Sequence, residues 1–249
     1  MMKDKKRLSY LIIIVFSIIS LLIIGLILNI QPNALEDKLL TKKQTLHFLK
    51  QEIGNYEKEI VFKTNDKNVK DWLKKDGLSY NNLGEINYYN YNSSKIQYYH
   101  YPEYTEVHLT ISYKLNKKQM NYVNKTIKKI AKKCKGKTIE DSVKKVNNYY
   151  KNKLSYKQGQ NSIYKGLKNG EGNCYTYTML TKLTLDELNI KNVTTYGTVK
   201  NSSHIWNKVK IGNTWKYLDV TFNDILNDKY LIISKTKLLK THKILTRSK

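Results

Sequence analysis

Apolar and polar positions alternate along this chain with several distinct rhythms, beginning with an apolar run. Leu11 to Ile30 is 20 residues long and uncharged, interrupted only by Ser17, Ser20, Gly25 and Asn29. At about 1.5 Å per residue it would span about 30 Å, the depth of a bilayer's hydrocarbon core. A secretory h-region is shorter and ends in a small-x-small cleavage site. Gln31-Pro32-Asn33-Ala34-Leu35 lacks that pattern, and no lipobox cysteine follows. The run reads as an anchor, with a cleaved signal as the rival. Lys3, Lys5, Lys6 and Arg7 precede it, which places residues 1–10 inside and the rest outside.

After the anchor the rhythm changes. Leu39, Leu40, Leu46, Leu49, Ile53 and Ile60 fall at three- and four-residue spacings, predicting helix over 36–62. Residues 63–105 are turn-rich and polar, with tyrosines dense from Asn87 to Tyr104. Such rings can stack on sugars, but half-buried strand positions are the commoner role. Val107 to Leu115 alternates apolar and polar, as a strand does. Met120, Val123, Ile127, Ile130 and Ala131 then mark an amphipathic helix over 116–133 with a lysine outer face, Gly136 serving as its C-cap. Thr138 with Asp141 starts a second helix to about Lys153. Four segments result: 1–10 inside, 11–30 in the membrane, a small α/β region over 31–115, and a second domain over 116–249.

Composition changes this picture little. The chain has 249 residues, 40% hydrophobic and 26% charged, enough for packed cores. Heavy use of Lys, Asn, Ile and Tyr fits an AT-rich genome. The net charge of +25 attracts polyanions. No nucleic-acid motif gathers that charge, so nucleic acid is not expected. Outside a membrane the available polyanions are wall polymers and lipid headgroups. The surface reads as solvated lysine with an accessory affinity for anionic wall polymers.

Candidate chemistry lies in the last third. Gly170-Glu171-Gly172-Asn173-Cys174 is a glycine-rich turn entering a helix to about Leu188, which puts Cys174 in the first turn. The unpaired N–H groups there favour a thiolate and can stabilise an oxyanion. A buried structural cysteine is the alternative. The other cysteine, Cys134, sits among lysines, and no Cys134–Cys174 disulfide is expected. His204–Ile211 and Thr214–Phe222 read as two strands joined by Gly212-Asn213, a turn of the primed type. With Ile211 opposite Thr214, residues His204, Trp206, Trp215, Tyr217, Asp219 and Thr221 share one face. Ile205, Val209, Ile211, Leu218, Val220 and Phe222 share the core face. His204 and Asp219 are then diagonal neighbours at about 7–8 Å, close enough for the carboxylate to fix the imidazole tautomer.

These residues carry a family resemblance. Gly172-Asn173-Cys174-Tyr175-Thr176-Tyr177, His204-Ile205-Trp206-Asn207-Lys208-Val209 and Trp215-Lys216-Tyr217-Leu218-Asp219-Val220-Thr221-Phe222-Asn223-Asp224 resemble, in this order, the three motifs of bacterial secreted transglutaminase-like proteins. Asn152–Tyr156 is similar to the family's helix end, and Tyr230–Ser234 followed by His242 to its closing strand and tail. The chain departs from the pattern at Tyr175-Thr176, where Gln-Gly is usual, and at Ile205, where Ala is usual.

The resemblance implies an α+β fold with a papain-like core, its nucleophile helix packed on an antiparallel sheet. It also implies Cys174 as nucleophile, His204 as general base and acid, and Asp219 as the group orienting His204. Trp206, Tyr175 and Tyr177 would border the acyl pocket. No cofactor or metal is expected; a site built from Cys174 and His204 lacks paired ligand spacings. The expected substrates are amide bonds of peptides or proteins, including wall peptide, attacked outside the membrane by acyl transfer or hydrolysis. The rival reading is an idle domain of this fold that binds peptide or wall material.

Overall fold

The computed structural model describes residues 38–245. The expected anchor over 11–30 lies outside them, and among the described residues no helix is long and apolar enough to cross a membrane. The chain divides into two compact units between Lys114 and Leu115.

In the first unit, helix α1 (Lys42–Gly54) is started by a reciprocal capping box between Thr41 and Gln44. It ends earlier than the apolar spacing suggests, because Tyr56 takes a left-handed conformation (φ 67°). Ile60 therefore belongs to strand β1 (Glu59–Thr64), where Ile60, Phe62 and Thr64 point inward. The tyrosine-dense stretch is ordered too: four short helical turns between Val69 and Asn90 lead into β2 (Tyr91–His100). β2 pairs with β3 (Thr105–Tyr113), giving an antiparallel sheet of order β1-β3-β2. Leu49, Ile53, Phe62, Leu73, Val107 and Leu109 form its core.

In the second unit, α2 (Lys117–Cys134) is capped by Asn116, and α3 (Ile139–Lys153) by Thr138. Gly136 is not the C-cap expected of it. Lys135, in extended conformation, ends α2, and Gly136 instead donates its N–H to the Ser142 hydroxyl. β4 (Ser155–Tyr156) and β5 (Glu171–Gly172) form a short parallel pair across helix α4 (Ile163–Asn169). Helix α5 (Cys174–Glu187) follows and packs against β6 (Asn192–Val199) and β7 (Ser202–Ile211). β7 turns at Gly212-Asn213 into β8 (Thr214–Leu218), with Ile211 opposite Thr214 as the turn chemistry requires. A last strand, β9 (His242–Ile244), completes the sheet in the order β8-β7-β6-β9. The unit is a mixed α+β fold.

Two expectations for this sheet need correction. The strand predicted over 214–222 stops at Leu218; Asp219 caps helix α6 (Val220–Leu226) and accepts the N–H of Phe222. Phe222 consequently swings away from the Ile205 face and joins the cluster of Trp206, Tyr217, Tyr230, Ile233 and Leu238. Tyr230–Ser234 is likewise not a strand; it makes a single antiparallel bridge, Ile233 to Tyr217. The strand that closes the sheet is β9.

Candidate active site

Cys174 is the first residue of α5. Asn173 caps that helix, its side-chain oxygen accepting from the N–H groups of Tyr175 and Thr176. Those two donors are therefore occupied. Among the described residues, no acceptor takes the N–H of Cys174 itself, so this amide is the first-turn group open to an oxyanion. Thr176 fixes the approach of the helix start. Its hydroxyl donates to the Gln160 carbonyl, and its methyl group fills the space where Gly166 or Gly172 would carry a Cβ. Cys174 is half-buried and free, and Cys134 is buried and free.

His204 lies near the start of β7, and its Nε2–H donates to Asp219 Oδ2 at 2.7 Å. With Nε2 held, Nδ1 is the ring nitrogen left for the thiol; the His204 ring and the Cys174 side chain interact by hydrogen bond and charge. Burial opposes a charge on His204. The hydrogen bonds and negative charges of Asp219 and Cys174 outweigh it, and the imidazole is pushed up to about 9. Asp219 is buried as well, which alone would favour its neutral form. Hydrogen bonds from His204, His242 and the Phe222 amide reverse that and hold the carboxyl below its usual range.

Asp219 is thus reached differently from the diagonal strand pairing expected of it. One residue beyond the strand end, it serves as a helix cap and as the imidazole's partner together. An asparagine network fixes this turn: Asn223 donates to Asn147 of α3 (2.8 Å), Asn147 donates to Asp228 (2.7 Å), and Tyr230 N–H donates to Asn223 (2.7 Å).

The residues expected to border an acyl pocket divide. Tyr175 is half-buried beside the thiol. Tyr177 is wholly buried, with its hydroxyl 2.9 Å from the Leu154 carbonyl and 2.8 Å from the Asp224 carboxylate, so it acts from inside. Trp206 is also wholly buried, stacked behind His204 at 5.8 Å between centroids, and walls the imidazole rather than open space. His47 and His100 are exposed and His108 pairs with Glu106, all in the first unit.

Sequence reasoning placed His242 only in the family-like tail, with no part in the site, and missed Gly197 altogether. His242 is buried and donates from Nε2 to the same Asp219 oxygen at 3.1 Å. Gly197, on β6, lies opposite His204 of β7 and Ile244 of β9; a Cβ there would sit 1.9 Å from the Lys243 carbonyl oxygen and 2.6 Å from Trp206. For Gly197 the signal in the sequence is a lone Gly in a β-branched strand; for His242 it is the likeness of the tail. His204, Asp219 and His242 present ligand atoms within 4.8 Å of one another, a donor set that a transition-metal ion would accept. The same atoms are already joined by direct hydrogen bonds.

Residues 124–220 match the model of the transglutaminase-like superfamily core, so this stretch carries a transglutaminase-like domain that includes Cys174, His204 and Asp219 and ends before His242. No curated protein matches the chain. Among solved structures, a TGase is similar at 11% identity and TM-score 0.40, over 73% of this chain and 57% of that one. A candidate cysteine protease from Cytophaga hutchinsonii is similar at 14% identity and TM-score 0.36, over 62% and 72%. A candidate protease from Parabacteroides distasonis ATCC 8503 is similar at 12% and 0.34, over 51% and 36%. The chain thus spans a little over half the length of the TGase structure.

Proposed function

We propose that the second unit is a thiol enzyme that cleaves or transfers amide acyl groups of peptides or proteins. The reading rests on one observation: a half-buried thiol at a helix start faces an imidazole whose far nitrogen is bonded to a buried carboxylate at 2.7 Å. In this scheme the proton of the Cys174 thiol passes to His204 Nδ1, and the sulfur attacks the amide carbon. The developing oxyanion takes the Cys174 N–H. His204 returns its proton to the leaving amine as the C–N bond breaks, leaving a thioester. Water or a second amine then attacks the thioester and gives up a proton to His204; the C–S bond breaks, the proton returns to the sulfur, and an acid or a new amide leaves with Cys174 regenerated. Asp219 holds the ring so that one nitrogen always faces the sulfur.

The Leu11–Ile30 run and its basic flank support an extracytoplasmic setting, with wall peptides as one available substrate class. The second unit also holds 29 of the 45 basic residues against eight acidic ones. α2 contributes seven lysines and no acid, a surface suited to anionic wall polymers.

The test is acyl-enzyme capture. The full chain is mixed with an activated peptide ester and analysed by intact mass and peptide mapping. An acyl adduct on Cys174, absent in Cys174→Ala and strongly reduced in His204→Gln, supports the proposal. Equal acylation of Cys134, or no adduct with folded protein, rejects it.

A further inference from the structure

We infer that His242 is a positioning residue for this site, the second imidazole on the Asp219 carboxylate, without which the His204 ring is not held toward Cys174. The inference rests on the thiol-enzyme reading of Cys174, His204 and Asp219, and extends it to a residue outside the superfamily match.

The geometry begins with Asp219, which is 1% exposed and has no solvent to turn toward. An ionised carboxylate can only accept, so both imidazoles must present Nε2–H to it. Oδ2 receives His204 at 2.7 Å and His242 at 3.1 Å, while Oδ1 receives the Phe222 amide at 3.1 Å. With three donors on two oxygens, neither rotation about the side chain nor exchange of the two oxygens is free. Removing His242 leaves Oδ2 with one partner and opens a gap the size of an imidazole beside it.

The ring of His242 is itself fixed at both ends. Its Nδ1 lies 2.8 Å from the Thr241 hydroxyl, which in turn receives the Tyr230 hydroxyl at 3.1 Å. Trp206 and Tyr230 meet the ring edge-on at 4.9 and 5.0 Å, and Phe222 at 5.6 Å. Trp206 and Phe222 are also the rings that flank His204, at 5.8 and 4.8 Å. The two imidazoles thus share a carboxylate and two aromatic walls. β9 delivers His242 there by pairing with β6 at Val199, Thr198 and Gly197, and Gly197 also lies opposite His204. What sets His242 apart from an ordinary core histidine is its second partner: the Nε2 side sits on the same carboxylate oxygen that orients His204.

The experiment uses the full chain and the rate of Cys174 alkylation by iodoacetamide between pH 5.5 and 9, a readout that needs no substrate. His242→Leu removes the donor, His242→Gln retains an amide N–H, and Thr241→Val loosens the ring from its far side. At pH 7 the expected loss is about tenfold or more in His242→Leu, the scale of one hydrogen bond to a charged group. His242→Gln should recover most of it, and Thr241→Val should fall between. If His242→Leu does not fold, the Gln and Val variants decide, and wild-type rates and pH profiles in both overturn the inference. So do wild-type kinetics in folded His242→Leu, or purification of the chain with one zinc ion per molecule that is lost in His242→Leu. If wild-type alkylation itself is indifferent to His204→Gln, the thiol-enzyme reading has failed and this inference falls with it.

Discussion

Replacing Gly197 by Ala tests how tightly the imidazole pair depends on the sheet edge. The added Cβ would lie 1.9 Å from the Lys243 carbonyl oxygen and 2.6 Å from Trp206. A ring can tilt, but the carbonyl is backbone, and it can retreat only if β9 moves away from β6. β9 is held by three residue pairs and by the Leu245 N–H on the Tyr196 carbonyl. Loss of two or three of these bonds at about 1 kcal/mol each, together with about 1 kcal/mol or more of crowding against Trp206, gives about 3 kcal/mol. For a unit of this size that corresponds to a fall in Tm of about 10 °C if β9 melts with the rest. Should β9 instead open locally, the fall will be smaller, and amide exchange at residues 242–245 will accelerate by about a hundredfold. Calorimetry and hydrogen exchange on the full chain separate the two. A variant with both Tm and exchange unchanged would show that β9 is not packed as described, and would undo the account of how His242 reaches Asp219.

Other expectations follow from the helix start, the buried tyrosine and the charges. Asn173→Ala leaves the Tyr175 and Thr176 amides without their acceptor, so chemical denaturation should show a loss of about 1 kcal/mol, with Asn173→Ser recovering part of it. Tyr177→Phe strands the Leu154 carbonyl and the Asp224 carboxylate, and the same assay should lose about 1–3 kcal/mol with Cys174 alkylation little altered. His204 binds its proton more tightly folded than unfolded. Its contribution is therefore complete below about 6.5 and is lost as pH rises through about 9. Asp219 is shifted down, so its contribution is complete above the ordinary Asp range and is lost as pH falls through its lowered value. Stability against pH should thus decline on the alkaline side in wild type, and this decline should flatten in His204→Gln.

Helices α2 and α3 were legible because their periodic apolar residues and their caps, Asn116 and Thr138, agree with each other. The β7–β8 hairpin was legible because Gly212-Asn213 leaves only one register. Beyond Leu218 the sequence misleads. Val220, Thr221 and Phe222 have strand propensity, yet the Asp219 cap and the buried Asn223–Asn147 bond turn them into helix. The run after Gly54 misled in the opposite sense, since Ile60 fits a helical spacing as well as it fits the strand it occupies. Cys174, His204 and Asp219 could be named from motif order. His242 could be placed in the tail but not beside Asp219, because that contact depends on a three-residue strand returning from 23 positions away. Tyr177 and Trp206 have the apolar bulk of pocket residues, and only packing reveals that they support the site from within.

The central claim, that the sulfur and the imidazole work as one unit, is tested most directly by the pH dependence of Cys174 alkylation in wild type and His204→Gln, followed by mass spectrometry so that Cys134 is counted separately. The account predicts that wild-type Cys174 remains reactive well below pH 8 and that this reactivity disappears in His204→Gln. Superimposable profiles for the two folded proteins would contradict it.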